Sequence, residues 1–177
     1  ARADADRIPG IDVLVGEGDR FALGKHGARI IETPGHTRAH ICYLFEADRA
    51  AFVGDTLFSM GCGRLFEGTP AQMWASLQKI MQLPDETRIY CAHEYTQSNG
   101  RFALSVEPDN PALQTRIHEV ATLRAAGQPT VPSTLGTEKA TNPFLRSASA
   151  GLRARLGLAT ATDTEVFAET RRRKDQF

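Results

Sequence analysis

Three short stretches of the chain share one layout, a β-like apolar run, a small residue, and then a side chain able to hold a metal. They read Ile30-Ile31-Glu32-Thr33-Pro34-Gly35-His36, Ala51-Phe52-Val53-Gly54-Asp55 and Ile89-Tyr90-Cys91-Ala92-His93. Imidazole with carboxylate suits Zn, Mn or Fe, and one carboxylate can bridge two cations. Taken singly, each has a plain structural explanation: Asp55 as a turn or cap residue, His36 as a loop residue, His93 as a strand-end residue. The device occurring three times favours ligation. The intervals are too long for one helix or hairpin, so separate strands must deliver the three groups to a common rim, as in open α/β sheets. His40, four residues after His36, opens an apparent strand and reads as a supporting hydrogen-bond partner rather than a direct ligand. His26 and His118 have no partners and read as structural or exposed. Cys42, Cys62 and Cys91 lack an activating pattern and read as structural thiols.

The elements that must position these groups are legible in outline. Strand-like runs fall at Ile11–Val15, Arg20–Leu23, Ala28–Thr33, Ile41–Phe45, Ala51–Val53 and Arg88–Cys91, bounded by Gly, Pro and Asp. Thr69-Pro70-Ala71-Gln72 is a capping box with proline in the first turn, and Met73, Leu77, Ile80 and Met81 then recur with helical period until Pro84. Trp74 flanks that stripe as a core residue. After His93 the texture becomes helical: Tyr95–Val106, then Asn110 through Ala126, an extended Thr- and Pro-rich tract Pro129–Arg146, and helices Ala148–Leu156 and Asp163–Lys174. The expected organisation is an α/β unit over residues 1–93 followed by an all-α unit over residues 94–177.

Composition narrows the classes. At 177 residues, 41% hydrophobic and 24% charged, the chain can bury a core without disulfide staples. Twenty-one basic residues balance twenty-one acidic ones, so no global field attracts nucleic acid or an anionic membrane, and any anion binding must be local. No apolar run reaches the ~20 residues of a membrane span. Three unpaired, widely spaced cysteines and no secretory signal lead to the expectation of a cytoplasmic, reducing setting.

A set of longer motifs carries a resemblance. Thr33-Pro34-Gly35-His36-Thr37, Gly54-Asp55-Thr56-Leu57-Phe58, Gly61-Cys62-Gly63-Arg64, Phe66-Glu67-Gly68-Thr69, Cys91-Ala92-His93-Glu94-Tyr95-Thr96, Asn142-Pro143-Phe144-Leu145-Arg146 and Arg171-Arg172-Arg173-Lys174-Asp175-Gln176-Phe177 together resemble the glyoxalase II (hydroxyacylglutathione hydrolase) family of metallo-β-lactamase-fold enzymes. The likeness runs from about Asp19 to the end of the chain. It implies an αβ/βα sandwich followed by a helical glutathione-binding domain, with two divalent metal ions, usually zinc, with iron or manganese as substitutes. It assigns His36 to one metal, His93 to the other and Asp55 as the bridge, and substrate binding to Arg64, Phe66, Tyr95, Arg171 and Lys174. The implied reaction is hydrolysis of S-D-lactoylglutathione to D-lactate and glutathione, part of methylglyoxal detoxification. Phe66 stands where many members have tyrosine, and Arg64 where some have lysine.

The family's first metal motif, H-x-H-x-D-H, is not found among His26, His36, His40, His93 and His118. The resemblance therefore leads to the expectation that this chain is the C-terminal portion of a longer enzyme. On that reading the opening layer of the sandwich is missing, activity of the isolated chain is low, and apolar strand edges and faces are uncovered. Two other readings stand beside it: a different enzyme of the same fold, such as a persulfide dioxygenase, and a non-catalytic module binding glutathione or a partner through its helical half.

Overall fold

The short apolar runs assemble into one sheet. In the computed structural model, which describes residues 1–177, β1 (Arg20–Leu23), β2 (His26–Glu32), β3 (Ile41–Phe45) and β4 (Ala50–Gly54) form an antiparallel meander. β5 (Leu57–Phe58) and β6 (Gly61–Cys62) make a separate hairpin. Helix α1 (Pro70–Met81) then crosses over, and β7 (Arg88–Cys91) pairs parallel to β4. A parallel neighbour needs such a crossover, since a tight turn can only reverse the chain. β8 (Ser133–Thr134) completes the order β1-β2-β3-β4-β7-β8.

α1 starts where its capping box says it should. The Gln72 amide N–H donates to Thr69 Oγ1 (3.2 Å) and the Thr69 N–H to Gln72 Oε1 (2.9 Å), satisfying two amides that have no helical acceptor. Met73, Trp74, Leu77 and Ile80 are buried against the sheet face formed by Ile31, Cys42, Leu44, Ala51, Val53 and Ile89. Each such large side chain contributes roughly 1.5–3 kcal/mol by leaving water.

The helices after His93 are α2 (Thr96–Val106), α3 (Pro111–Ala125), α4 (Leu135–Thr141), α5 (Ala150–Leu156) and α6 (Asp163–Asp175). Their apolar faces join the same core: Phe102, Leu135, Phe144, Leu152, Val166 and Phe167 are continuous with the sheet-side residues. The Trp74 and Phe167 rings meet at 5.9 Å, tying α1 to α6. The helical half thus shares its interior with the sheet, and lends it β8.

Two expectations from the sequence are corrected. Ile11–Val15 is not a strand; it runs as irregular chain with Val13 and Leu14 exposed, because no neighbouring strand offers it a ladder. The tract Pro129–Arg146 is not simply extended, since it holds β8, α4 and a 3₁₀ turn at Pro143–Leu145. α4 is short and contains Gly136, so its local signal is weak. It forms because Thr134 caps it (Thr137 N–H to Thr134 Oγ1, 3.2 Å) and Glu138 is drawn inward to the β5–β6 turn.

The sheet face opposite α1 carries an aromatic row. Tyr43 pairs with Phe52 and Phe52 with Tyr90 across β3, β4 and β7; the Phe52 and Tyr90 rings stack at 4.8 Å, and Phe52 remains 46% exposed. No helix of the chain is long and apolar enough to cross a membrane.

Candidate active site

Strand direction explains why the three metal-competent groups meet. β4 and β7 are parallel, and β2 runs the same way because two antiparallel pairings separate it from β4. The C-terminal ends of β2, β4 and β7 therefore share one sheet edge, and the turns beyond them deliver His36, Asp55 and His93 to it. Asp55 stands between the two imidazoles. Its Oδ2 is 3.9 Å from His36 Nε2, and its Oδ1 is 3.2 Å from His93 Nε2.

Each of the three is held by something specific. Gly54 adopts φ +51°, and a Cβ there would sit 2.6 Å from His40 Nε2. Only glycine permits both the left-handed turn and the close ring. His40 Nε2 in turn accepts the Asp55 amide N–H (3.1 Å), and its Nδ1 lies 2.9 Å from both Thr33 Oγ1 and Thr56 Oγ1. The accepting Nε2 fixes the neutral tautomer with the proton on Nδ1. Burial pushes the His40 pKa below its ordinary value, opposed by the Asp55 charge and reinforced by His36. His40 thus supports Asp55 through its backbone, as its place at the strand start suggested. His36 donates from Nδ1 to the Arg64 carbonyl (2.9 Å), which leaves the Nε2 lone pair facing Asp55. Gly63 passes so close beneath that a Cβ would overlap the Asp55 carbonyl.

The β5–β6 hairpin, which links Asp55 to Arg64, takes several clamping hydrogen bonds from the helical half. Asn142 Nδ2 donates to Phe58 O (3.1 Å) and Gly61 O (2.9 Å), and Asn99 Nδ2 to Ser59 O (3.1 Å). Glu138 Oε2 accepts the Met60 N–H (2.8 Å), holding Met60 at φ 55°. Burial raises the Glu138 pKa above the usual carboxylate range. None of these clamps was anticipated from sequence. Leu57-Phe58 and Gly61-Cys62 around a two-residue turn are too short to register as a hairpin, and the partners lie about 40 and 80 residues away.

A cleft of about 740 Å³ opens over the three groups. Tyr95 stacks on His93 (4.9 Å between centroids) and Phe66, 69% exposed, lies 5.0 Å from His36. The Arg64 guanidinium is mostly exposed, its Nε 3.9 Å from Asp175. Lys174 sits half-buried, Nζ 3.4 Å from Ser98 O and 5.3 Å from the centres of Phe102 and Phe177. Arg171 lines the same cleft but is set deeper. Its side chain is only 5% exposed. One guanidinium nitrogen donates to Cys62 O (2.9 Å), another to Asp175 (2.8 Å), and the group lies 5.0 Å from the Phe144 ring. It ties α6 to β6 at the wall of the cleft, which it lines together with the more exposed Lys174. The buried thiols of Cys42 and Cys62 are each pushed up to about 11 by desolvation, which keeps them protonated and unreactive at neutral pH.

In kind and placement, a carboxylate with one imidazole at each oxygen fits a bridged pair of divalent cations. In number it falls short: no three His, Cys, Asp or Glu side chains converge on one point, so each cation would have two protein donors, against the three of a hydrolytic zinc site.

The fold and this edge-mounted site define the class. Residues 2–93 match the family model for the metallo-beta-lactamase superfamily. ETHE1 from Myxococcus xanthus superposes with a TM-score of 0.58 at 24% identity, over 91% of this chain and 52% of that one. TTHA1623, crystallised in a di-iron-bound form, superposes at 0.51 and 26% identity, over 77% and 50%. The chain therefore spans about half the length of these solved structures. Residues 94–177 match the model for the hydroxyacylglutathione hydrolase C-terminus. Hydroxyacylglutathione hydrolase of Maricaulis maris is 60% identical over 99% of this chain and 69% of its own length. The chain belongs to the hydroxyacylglutathione hydrolase family.

Proposed function

We propose that the cleft binds a glutathione thioester and carries the carboxylate-bridged half of a two-cation centre for hydrolysing S-D-lactoylglutathione to D-lactate and glutathione. The observation that carries this reading is that His36, Asp55 and His93 open into the same cleft as Arg64, Tyr95 and Lys174. Anion-binding groups and cation-binding groups thus face one elongated ligand. Two divalent cations, zinc, iron or manganese, sharing Asp55 with His36 on one and His93 on the other, would supply hydroxide at neutral pH and polarise the thioester carbonyl.

The chain's own residues do the rest. His40 holds the Asp55 backbone, and the Arg64 carbonyl orients the His36 ring so that its free nitrogen faces the cleft. The rings of Tyr95 and Phe66 flank the imidazoles and offer apolar walls to the acyl and cysteinyl parts of the substrate. Arg64 and Lys174 supply positive charge for a tripeptide with two carboxylates and one ammonium. The leaving group is a thiolate, stable enough to depart without a strong acid, and none is required of the cleft.

The test is titration of the 177-residue chain with S-D-lactoylglutathione, followed by amide NMR shifts. Saturable binding is expected, with shifts concentrated at residues 63–66, 93–98 and 174. Replacing Lys174 by Met or Tyr95 by Ala should weaken it. Absence of saturable binding, or shifts confined to the aromatic face of the sheet, refutes the reading.

A further inference from the structure

One element reaches all three metal-competent groups. The β5–β6 hairpin begins just after Asp55 and ends just before Arg64, whose carbonyl accepts from His36 Nδ1. Between its end and Arg64, Gly63 lies against both groups: a Cβ there would overlap the Asp55 carbonyl and come within 3.1 Å of His36 Nδ1. Within the hairpin, the Phe58 ring stands 6.0 Å from that of His93 and 5.5 Å from that of Tyr95. The hairpin's own ladder is too short to fix this geometry. It has two residue pairs, Leu57 with Cys62 and Phe58 with Gly61, and isolated two-stranded hairpins are at best marginally stable in water. Its turn also holds Met60, not a glycine, at φ 55°, a conformation that persists only where the surroundings impose it. Glu138 and Asn142, four residues apart at the end of α4, supply that constraint. Glu138 Oε2 accepts the Met60 N–H (2.8 Å) and an Asn142 Nδ2 proton (3.0 Å), while Asn142 Nδ2 also serves Phe58 O (3.1 Å) and Gly61 O (2.9 Å) on either side of the turn. Both side chains are fully buried, and neither lines the cleft. A connected polar pair in the interior rigidifies what it binds, and here it binds the element that carries the site.

Resting on the reading of the site given above, we propose that Glu138 and Asn142 are positioning residues for the metal-competent trio: by fixing the hairpin turn, they hold the Arg64 carbonyl where it keeps the His36 proton on Nδ1 and leaves Nε2 free to ligate. Without the pair, the Met60 amide and the Phe58 and Gly61 carbonyls lose their partners in a buried place, and the turn relaxes toward other partners. Gly63 and Arg64 follow it. His36 then loses its acceptor, and its proton moves to Nε2, which faces the Asp55 carboxylate at 3.9 Å. In that tautomer the nitrogen facing the cleft has no lone pair to offer a cation.

Long-range proton–nitrogen NMR of the intact chain, free of metal and substrate, reads the imidazole tautomers at about pH 8, where the rings are neutral. In the wild type, His36 and His40 should both carry the proton on Nδ1. Asn142→Ala and Glu138→Leu should move His36 largely to the Nε2–H form. His40, whose Thr33 and Thr56 partners lie outside the hairpin, should stay as it is. Glu138→Gln keeps an acceptor for the Met60 N–H and should keep the wild-type His36 signal. Phe45→Leu, in the separate cluster of Ala28, Phe45 and Ala50, controls for lost stability and should leave both rings unchanged. If either first variant does not fold, Asn142→Ser decides in its place, since it retains a cap for the Phe144 N–H but cannot span to the hairpin. A His36 proton that stays on Nδ1 in the folded variants overturns the proposal, as does a wild-type His36 already protonated on Nε2. So does a change that appears equally in His40, in Glu138→Gln or in Phe45→Leu, because general loosening would then account for it. No ligand is in the sample, so any of these failures leaves the substrate titration, and the reading it tests, intact.

Discussion

Gly54→Ala puts the local logic of the site under direct strain. The residue holds φ +51°, where a Cβ costs roughly 1–2 kcal/mol for an L-amino acid. The new methyl would lie 2.6 Å from His40 Nε2 and 2.9 Å from Cε1, well inside contact distance, with the ring walled in by Thr33 and Thr56. The ring must tilt away, and the Asp55 N–H then loses its 3.1 Å acceptor in a partly buried place. Leaving such a donor unpaired costs about 1–3 kcal/mol. Together these give about 2–5 kcal/mol of lost stability, read as the urea midpoint at constant m-value. The two components separate in a double-mutant cycle with His40→Ala. Once the ring is gone, Gly54→Ala should cost only its backbone part, about 1–2 kcal/mol, so the costs should fall short of additivity by about 1 kcal/mol or more. Strict additivity would refute the claim that Gly54 exists to admit the His40 ring.

Three further outcomes are expected. Glu138 is a buried carboxyl whose folded pKa lies above its unfolded value near 4.3, so its contribution favours folding most at low pH and declines as pH rises through the folded pKa. Glu138→Gln should therefore stabilise the chain at pH 7, with the gain vanishing toward pH 4; denaturant midpoints against pH will show it, and a pH-independent difference would contradict it. Cobalt(II) titrated into the chain and followed by visible absorption should bind weakly, since each cation meets two protein donors, and binding should be abolished by Asp55→Ala; correspondingly, turnover of S-D-lactoylglutathione by the isolated metal-loaded chain should be slow. Tight stoichiometric retention or enzyme-like rates would show that the coordination argument is wrong. Finally, the exposed Phe52 within the Tyr43–Phe52–Tyr90 row should drive self-association, and Phe52→Ser should shift sedimentation profiles toward monomer. A wild type that sediments as a monomer at high concentration would count against this.

How much was legible in the residues depended on how local the signal was. Arg20–Leu23, Ile41–Phe45 and Arg88–Cys91 are strands with the bounds their turn residues suggested, and α1 begins and ends at its capping box and before Pro84. The metal-competent trio could be named because a small residue followed by His or Asp at a strand end is a short-range pattern. By contrast, Ile11–Val15 has the composition of a strand without a neighbour to pair with, and α4 has a poor helical composition but a cap and a buried glutamate that secure it.

The linear order of residues by itself determined the strand-end turns, the helix caps, the types of donor available and the family to which the chain belongs, because propensity, capping and motif content act within a few residues. Only the tertiary structure decided that β2, β4 and β7 point the same way, that Asp55 lies between two imidazoles, and that Arg171 is buried against Cys62 at the cleft wall. Those outcomes rest on pairings such as Asn142 with Gly61 and Arg171 with Cys62, eighty and more residues apart. Contacts of that range form only when burial of a shared core brings the two halves together, and no short window of sequence encodes them.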